Sequence, residues 1–194
     1  MRLIENRMEK PDYTSGLLME DTAKSGGAPY LVKSDGSWLY KGDTILQKSM
    51  VCLFASLLAR DEGGQYYLDS PAEKGLIVVE DTPFVVVAMK WRGVGRKQEI
   101  GFLINTDEYI AVGCEHGIRM VCHSSRSVPI TYLHVRDGKG TFPLEARINR
   151  ATYYELVALA ELGIVDGHEM LGVWSGGIFF PIAESPHNHA ASVR

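Results

Sequence analysis

Apolar positions recur at helical spacing in two places along this chain and at strand spacing in many others. Met50, Leu53, Phe54, Leu57 and Leu58 follow the i, i+3, i+4, i+7, i+8 pattern that lays one apolar stripe against a core. They predict a first helix ended by Asp61-Glu62-Gly63-Gly64. Tyr153, Leu156, Val157 and Ala160 repeat the spacing and predict a second helix from about residue 150 to 162, with Asn149 as N-cap and Gly163 at its end. Short apolar runs between turn residues predict strands over Tyr30–Lys33, Ser37–Tyr40, Gln65–Leu68, Leu76–Glu80, Phe84–Trp91, Glu99–Asn105, Tyr109–Val112, Ile118–Cys122, Ile130–Arg136, Met170–Trp174 and Gly177–Ile182. Their shortness, with hairpin-like turns at Ser34-Asp35-Gly36-Ser37 and Ser175-Gly176-Gly177, argues for antiparallel sheet.

The expected fold is therefore α+β, with two lobes of mostly antiparallel sheet that each pack one helix. Residues 1–28 and 185–194 lack periodicity and are expected to be an extension and a tail. The lobes are expected over 29–82 and 83–184. Displacement by 103 positions carries Met50, Leu53, Phe54 and Leu57 onto Tyr153, Leu156, Val157 and Ala160. A β-β-α-β-β unit used twice would produce that coincidence, and so would chance in a small α+β protein. A duplication would place a cleft between two lobes, a usual place for a ligand.

Composition narrows the function classes. The 45% hydrophobic content over 194 residues is enough to build a core. Twenty Lys+Arg against 24 Asp+Glu give a net charge of −4, with no basic run beyond Arg96-Lys97, so nucleic acid is not an expected partner. No apolar run approaches the ~20 residues that span a bilayer, so no membrane is expected either. The first residues lack the hydrophobic segment of a secretory signal, and Cys52, Cys114 and Cys122 are odd in number. Both point to the cytoplasm.

Several unusual strings occur in order along the chain. Ser70-Pro71-Ala72-Glu73-Lys74 precedes Ile77-Val78-Val79-Glu80-Asp81-Thr82-Pro83-Phe84, with Asp35-Gly36-Ser37-Trp38 and Gly42-Asp43-Thr44-Ile45 before it. Tyr132-Leu133-His134-Val135-Arg136, the run from Glu145 to Tyr154 and the run from Val173 to Pro181 follow. Together they resemble the bacterial family of domain of unknown function 1285 over most of residues 35–183. The resemblance implies two related lobes and a sensing or signalling role without an assigned reaction. The chain departs from the family pattern at Gln47, where Arg is usual.

No P-loop, esterase elbow, zincin motif or EF-hand is present. Gly93-Val94-Gly95 lacks the third glycine of a dinucleotide loop. Cys114, His116, Cys122 and His123 match no zinc spacing, and adjacent strand residues point to opposite faces, so neither a metal nor a cofactor is expected. The start of the second helix carries more promise. Arg147 and Arg150 flank it, and His134 and Arg136 end a preceding strand. Cations at a helix N-terminus oppose its dipole, so these arginines are expected to be paired or to hold an anion. Glu145, Glu73 and Asp81 are the candidate partners, and Trp174-Ser175 beside a Gly-Gly turn is a candidate pocket wall. Glu73, Asp81, His134, Arg136, Arg147, Arg150, Trp174 and Ser175 are thus the expected ligand-binding residues, facing a small anionic metabolite between the lobes. The competing readings are an Arg–carboxylate network that only stitches the lobes, and an enzyme with Glu73 or Asp81 as base and Arg147 or Arg150 stabilising an oxyanion. A third is an interaction protein that pairs through exposed β edges with a partner or a second copy.

Overall fold

The computed structural model describes residues 28–70, 74–122, 129–138 and 142–185. Among these residues, three sheets and two α-helices make up the fold. In the first sheet, β1 (Tyr30–Val32), β2 (Trp38–Tyr40) and β3 (Asp43–Thr44) form a meander. Helix α1 (Lys48–Leu57) follows, and β4 (Leu58–Arg60), β5 (Tyr66–Asp69) and β6 (Lys74–Val79) form a second meander. Parallel pairing of β1 with β6 joins the two meanders into one six-stranded sheet, ordered β3-β2-β1-β6-β5-β4.

The second sheet runs β10-β11-β12-β7-β8-β9. Its strands are β7 (Phe84–Arg92), β8 (Glu99–Ile104), β9 (Tyr109–Ala111), β10 (Ile118–Val121), β11 (Ile130–Arg136) and β12 (Leu144–Ile148). Here too one parallel pair, β12 with β7, closes the order. Helix α2 (Arg150–Val157) leads into a third sheet of β13 (Glu161–Val165), β14 (His168–Ser175) and β15 (Ile178–Glu184). The fold is α+β, with two sheet-dominated lobes that each carry one helix.

A three-strand meander, a helix and a second three-strand meander thus occur twice, as β1–β6 around α1 and as β10–β15 around α2. Displaced by 103 positions, β5 falls within β14, and Gly64 at φ +83° falls on Gly167 at φ +80°. Both glycines sit in the hairpin turn after the strand that follows the helix, where a left-handed residue is needed. The fully buried Ile77 falls on the buried Phe180. Strand β15 lies beside β10, as β6 lies beside β1. Strands β7–β9 are the addition that separates the two units.

Several local expectations are corrected. Helix α1 ends at Leu57, and Leu58 begins β4, so Asp61-Glu62-Gly63-Gly64 turns a hairpin instead of ending a helix. Leu53 is 42% exposed, and Ala55 takes its place in the core. Helix α2 stops at Val157, and Gly163 lies in β13, where the Phe179 ring occupies the space a side chain would need. Asn149 caps α2 as expected, its side chain accepting from the Thr152 amide at 2.8 Å. Ser185 belongs to the core of the second lobe, wholly buried and bonded to Glu169, so the expected tail starts too early. The N-terminal extension lies outside the described residues, apart from Ala28.

One continuous core spans both lobes, from Val32, Trp38 and Ile77 through Phe84, Phe102 and Leu133 to Leu156 and Ile182. Among the described residues no helix is long and apolar enough to cross a membrane. The third sheet is pinned to the second at the β14–β15 turn. There the buried Ser175 hydroxyl accepts from the Ile100 amide at 2.9 Å and donates to the Val112 carbonyl at 2.8 Å.

Close packing at Gly172 yields a test of this arrangement. A Cβ there would lie 2.6 Å from the Phe180 carbonyl and 2.5 Å from the Phe179 ring. Overpacking of this kind costs about 1–3 kcal/mol, so Gly172→Ala is expected to lower Tm by roughly 3–10 °C. Gly75→Ala on β6, where nothing lies within 4 Å, is expected to leave Tm unchanged. Equal Tm for both variants by calorimetry would contradict the packing of Phe179 over β13 and β14.

Candidate functional site

The register of β10, β11 and β12 sorts their side chains onto two faces. Tyr132 stands opposite Arg119 and Arg147, and His134 opposite Glu145, while Leu133 and Ala146 point the other way into the core. The resulting polar face carries a connected set of charges. Arg119 binds Glu145 with two hydrogen bonds, of 2.9 and 2.7 Å, and its guanidinium lies 4.6 Å from the Tyr132 ring centroid. Glu145 is buried, and bidentate pairing with a stacked guanidinium is the arrangement that makes such burial tolerable. Arg147 donates to Asp81 at 3.1 Å, and the Tyr132 hydroxyl donates to the other oxygen of Asp81 at 3.0 Å. Burial and the Asp81 charge push the Tyr132 hydroxyl up to about 12. Tyr66, on β5 of the first lobe, is also raised, mainly by burial, with the charges of Glu145 and Asp81 adding to it.

Asp81 and Arg147 are therefore brought together, at the segment that joins the lobes. His134 shares their sheet face, where its Nε2 meets Asp137 at 3.0 Å. The other expected residues are engaged elsewhere. Arg136 crosses to the first lobe and donates to the carbonyls of Ala55 and Leu58. Burial pulls its pKa below the usual guanidinium value. Arg150 is exposed and, among the described residues, bonds the hydroxyl of Tyr154, one helical turn on. Trp174 lies under Arg96, with 4.9 Å to the ring centroid, and edge-on to Phe179. Ser175 spends both its donor and its acceptor on backbone. Glu73 lies outside the described residues. His123 does too, and no group of three metal-ligating side chains assembles among the described residues.

Among the described residues, Asp81, Arg147, Tyr132, Arg119 and Glu145 are bonded to one another at the junction, while Arg136, Arg150, Trp174 and Ser175 make their contacts elsewhere. Arg119 escaped notice in the sequence because its partner Glu145 sits on a strand that was not anticipated. The alternation of Leu144, Ala146 and Ile148 against Glu145 and Arg147 is the signal that marks β12.

A cavity of about 360 Å³ opens elsewhere, in the first lobe, between the β2–β3 hairpin and the start of α1. Its wall is built by Tyr30 from β1, Tyr40 from β2, and Met50 and Phe54 from one face of α1. Its rim carries Lys41, Asp43, Thr44, Ile45, Leu46 and Gln47. The rings of Tyr30 and Tyr40 lie 4.9 Å apart at 41°, and Phe54 meets Tyr30 edge-on at 5.4 Å. Lys41 and Gly42 both have positive φ, which makes the two-residue turn that folds β3 back over β2 and raises the rim. Leu46, 90% exposed, stands at the mouth. Burial, reinforced by Tyr40, pushes the Tyr30 hydroxyl up to about 12. At the N-terminus of α1, Gln47 makes no side-chain cap, and no acidic residue occupies the first turn.

The raised tyrosines make stability sensitive to alkali. Tyr30 and Tyr132 hold their protons more tightly folded than unfolded, so their contribution is complete below about pH 10 and is lost as pH rises towards 12. Phenolate absorbance of the nine tyrosines is expected to show a late fraction that ionises only as the fold is lost. A single step near pH 10 with the fold intact would contradict the burial of both hydroxyls.

Comparison with known proteins follows the same two-part division. Residues 21–82 match the model of the N-terminal domain of unknown function DUF1285, and residues 83–182 match the model of the C-terminal domain of the same protein family. A DUF1285 family protein of Silicibacter pomeroyi DSS-3, known by crystal structure, is 38% identical with a TM-score of 0.72. That match covers 83% of this chain and 82% of the other. A second crystal structure, of a DUF1285 family protein from Shewanella baltica OS155, has a TM-score of 0.52 at 23% identity. It covers 69% of this chain and 94% of its own, and shares the fold. No curated protein matches. With both domain models matched in order across most of its length and a crystal structure of the same fold at 38% identity, the chain belongs to the DUF1285 family.

Proposed function

We propose that this protein is a small-ligand-binding module, and that its ligand occupies the cavity beside α1 instead of the junction between the lobes. The observation that carries this reading is the cavity itself: about 360 Å³ walled by Tyr30, Tyr40, Met50 and Phe54. That volume lies at the lower end of the roughly 300–1,000 Å³ common for small-molecule pockets. The junction offers less to a ligand, because Asp81, Arg147, Tyr132, Arg119 and Glu145 are bonded to one another. Both oxygens of Asp81 are engaged, and Arg150 turns to Tyr154, so a carboxylate base beside an open guanidinium has no support there.

A sensing role has a physical basis in the same helix. Lys48 pairs with Asp107 at 3.1 Å, and the Cys52 thiol donates to the Thr106 carbonyl at 3.4 Å. With Arg136 at the other end, α1 touches the cavity on one side and the second lobe on the other. A ligand that tightens its first turn therefore bears on contacts made by the second lobe.

A metabolite-library thermal-shift screen with three proteins tests the reading. A ligand at a hundred times its Kd stabilises by about 2.7 kcal/mol, which is a rise of roughly 5–10 °C at this chain length. Wild type and Arg147→Ala are expected to respond to the same hit, whereas Gln47→Trp, which fills the cavity rim, keeps its fold and loses the response. A response that survives Gln47→Trp and vanishes in Arg147→Ala would move the site to the junction and overturn the proposal.

A further inference from the structure

The chemistry of the cavity narrows the ligand class, an inference that rests on the reading of the cavity as the binding site. Besides Lys41, whose ammonium lies 5.4 Å from the Tyr40 ring centroid, two opposite polar features stand at its rim. The first is the open start of α1: the Gln47 carbonyl accepts from Met50 and Val51, while the amides of Lys48 and Ser49 find no acceptor among the described residues. Such a helix start attracts a negative group. The second is Asp43, exposed on the rim, with its carboxylate unpartnered among the described residues. It attracts a positive group and repels an anion that carries nothing else.

Between them lies an apolar wall with one donor, the hydroxyl of Tyr30. Tyr30 is 4% exposed, and its hydroxyl has no partner among the described residues. With its pKa pushed up to about 12, that hydroxyl stays a neutral donor at physiological pH. That hydroxyl is not sealed from solvent, so it opens on the cavity, where a ligand oxygen would take the place of water. The rings of Tyr30, Tyr40 and Phe54 beside Met50 suit a flat or branched hydrocarbon group.

We propose that the cavity binds a zwitterionic α-amino acid with a large apolar side chain, its carboxylate at the first turn of α1, its ammonium at Asp43 and its side chain against Tyr30, Tyr40 and Phe54. A simple carboxylate leaves Asp43 opposed, and a simple amine leaves the helix start and Tyr30 unanswered.

Calorimetric titration of the full chain with L-phenylalanine, L-leucine, 3-phenylpropionate and phenethylamine tests the assignment. One of the two amino acids is expected to bind at least tenfold more tightly than either singly charged analogue. Asp43→Asn, a change at an exposed position, is expected to keep wild-type Tm, to lose at least tenfold in amino-acid affinity and to leave 3-phenylpropionate no weaker. Phenylpropionate binding as tightly as phenylalanine, or amino-acid binding indifferent to Asp43→Asn, would overturn the amino-acid assignment. Failure of both amino acids while a library compound still gives a shift abolished by Gln47→Trp would sink the ligand class and leave the binding module standing. Failure of both with no such compound would remove both.

Discussion

Helix α1 passes into β4 without an intervening turn, and the carbonyls at this transition are met by a guanidinium from the other lobe. Arg136, at the end of β11, donates to Ala55 and Leu58 while its own charge lies 5.5 Å from the Phe84 ring centroid. A helix end buried without partners is unfavourable, and α1 has no basic residue in its last turn and no glycine at its C-cap to manage the end locally. The first lobe therefore completes helix α1 with a side chain of the second. Phe54, Ala55 and Leu58 then enter one core with Phe84, Leu133 and Val135, so the two six-stranded sheets share their apolar interior instead of keeping one each.

Other arginines are engaged in the same way. Arg60 donates to Gly64 and to Pro143 of the second lobe and stacks on Tyr66 and Phe142. Arg119 is held by Glu145, Arg147 by Asp81 and Arg136 by backbone. Each guanidinium meets planar acceptors or ring faces that suit its geometry. At the rim of the aromatic cavity, Asp43, the Tyr30 hydroxyl and the first amides of α1 have no partner among the described residues.

What was legible in the sequence follows the range of the interactions involved. Strand β11 is found at Ile130–Arg136 as its period-two pattern predicts, and Asn149 caps α2 because capping needs only three neighbouring residues. The end of α1 was hidden because Leu57 and Leu58 continue the helical stripe, although Leu58 already lies in β4. Strands β12 and β13 abut α2 and were absorbed into its surroundings. The parallel pairs β1–β6 and β7–β12 join residues more than forty positions apart, which no local pattern encodes. The repeat was visible through its helices and is clearer in its strands. The charged residues were recognised as a set, but their pairing depends on register, and a one-residue shift would have turned Arg119 and Glu145 to the other face. The cavity escaped for a related reason: Tyr30 and Phe54 are core aromatics with Tyr40 packed against them, and only the turn at Lys41-Gly42 leaves a space along their rings.

If α1 is the member that holds the two lobes together, its amides open only when the whole molecule opens. Native-state hydrogen exchange compares the central amides of α1 with those of β11, in wild type and in Arg136→Leu. The account predicts equal opening free energies for the two elements in wild type and an equal fall in both when the arginine is lost. Exchange of α1 by an independent local opening, with β11 unchanged by Arg136→Leu, would contradict it.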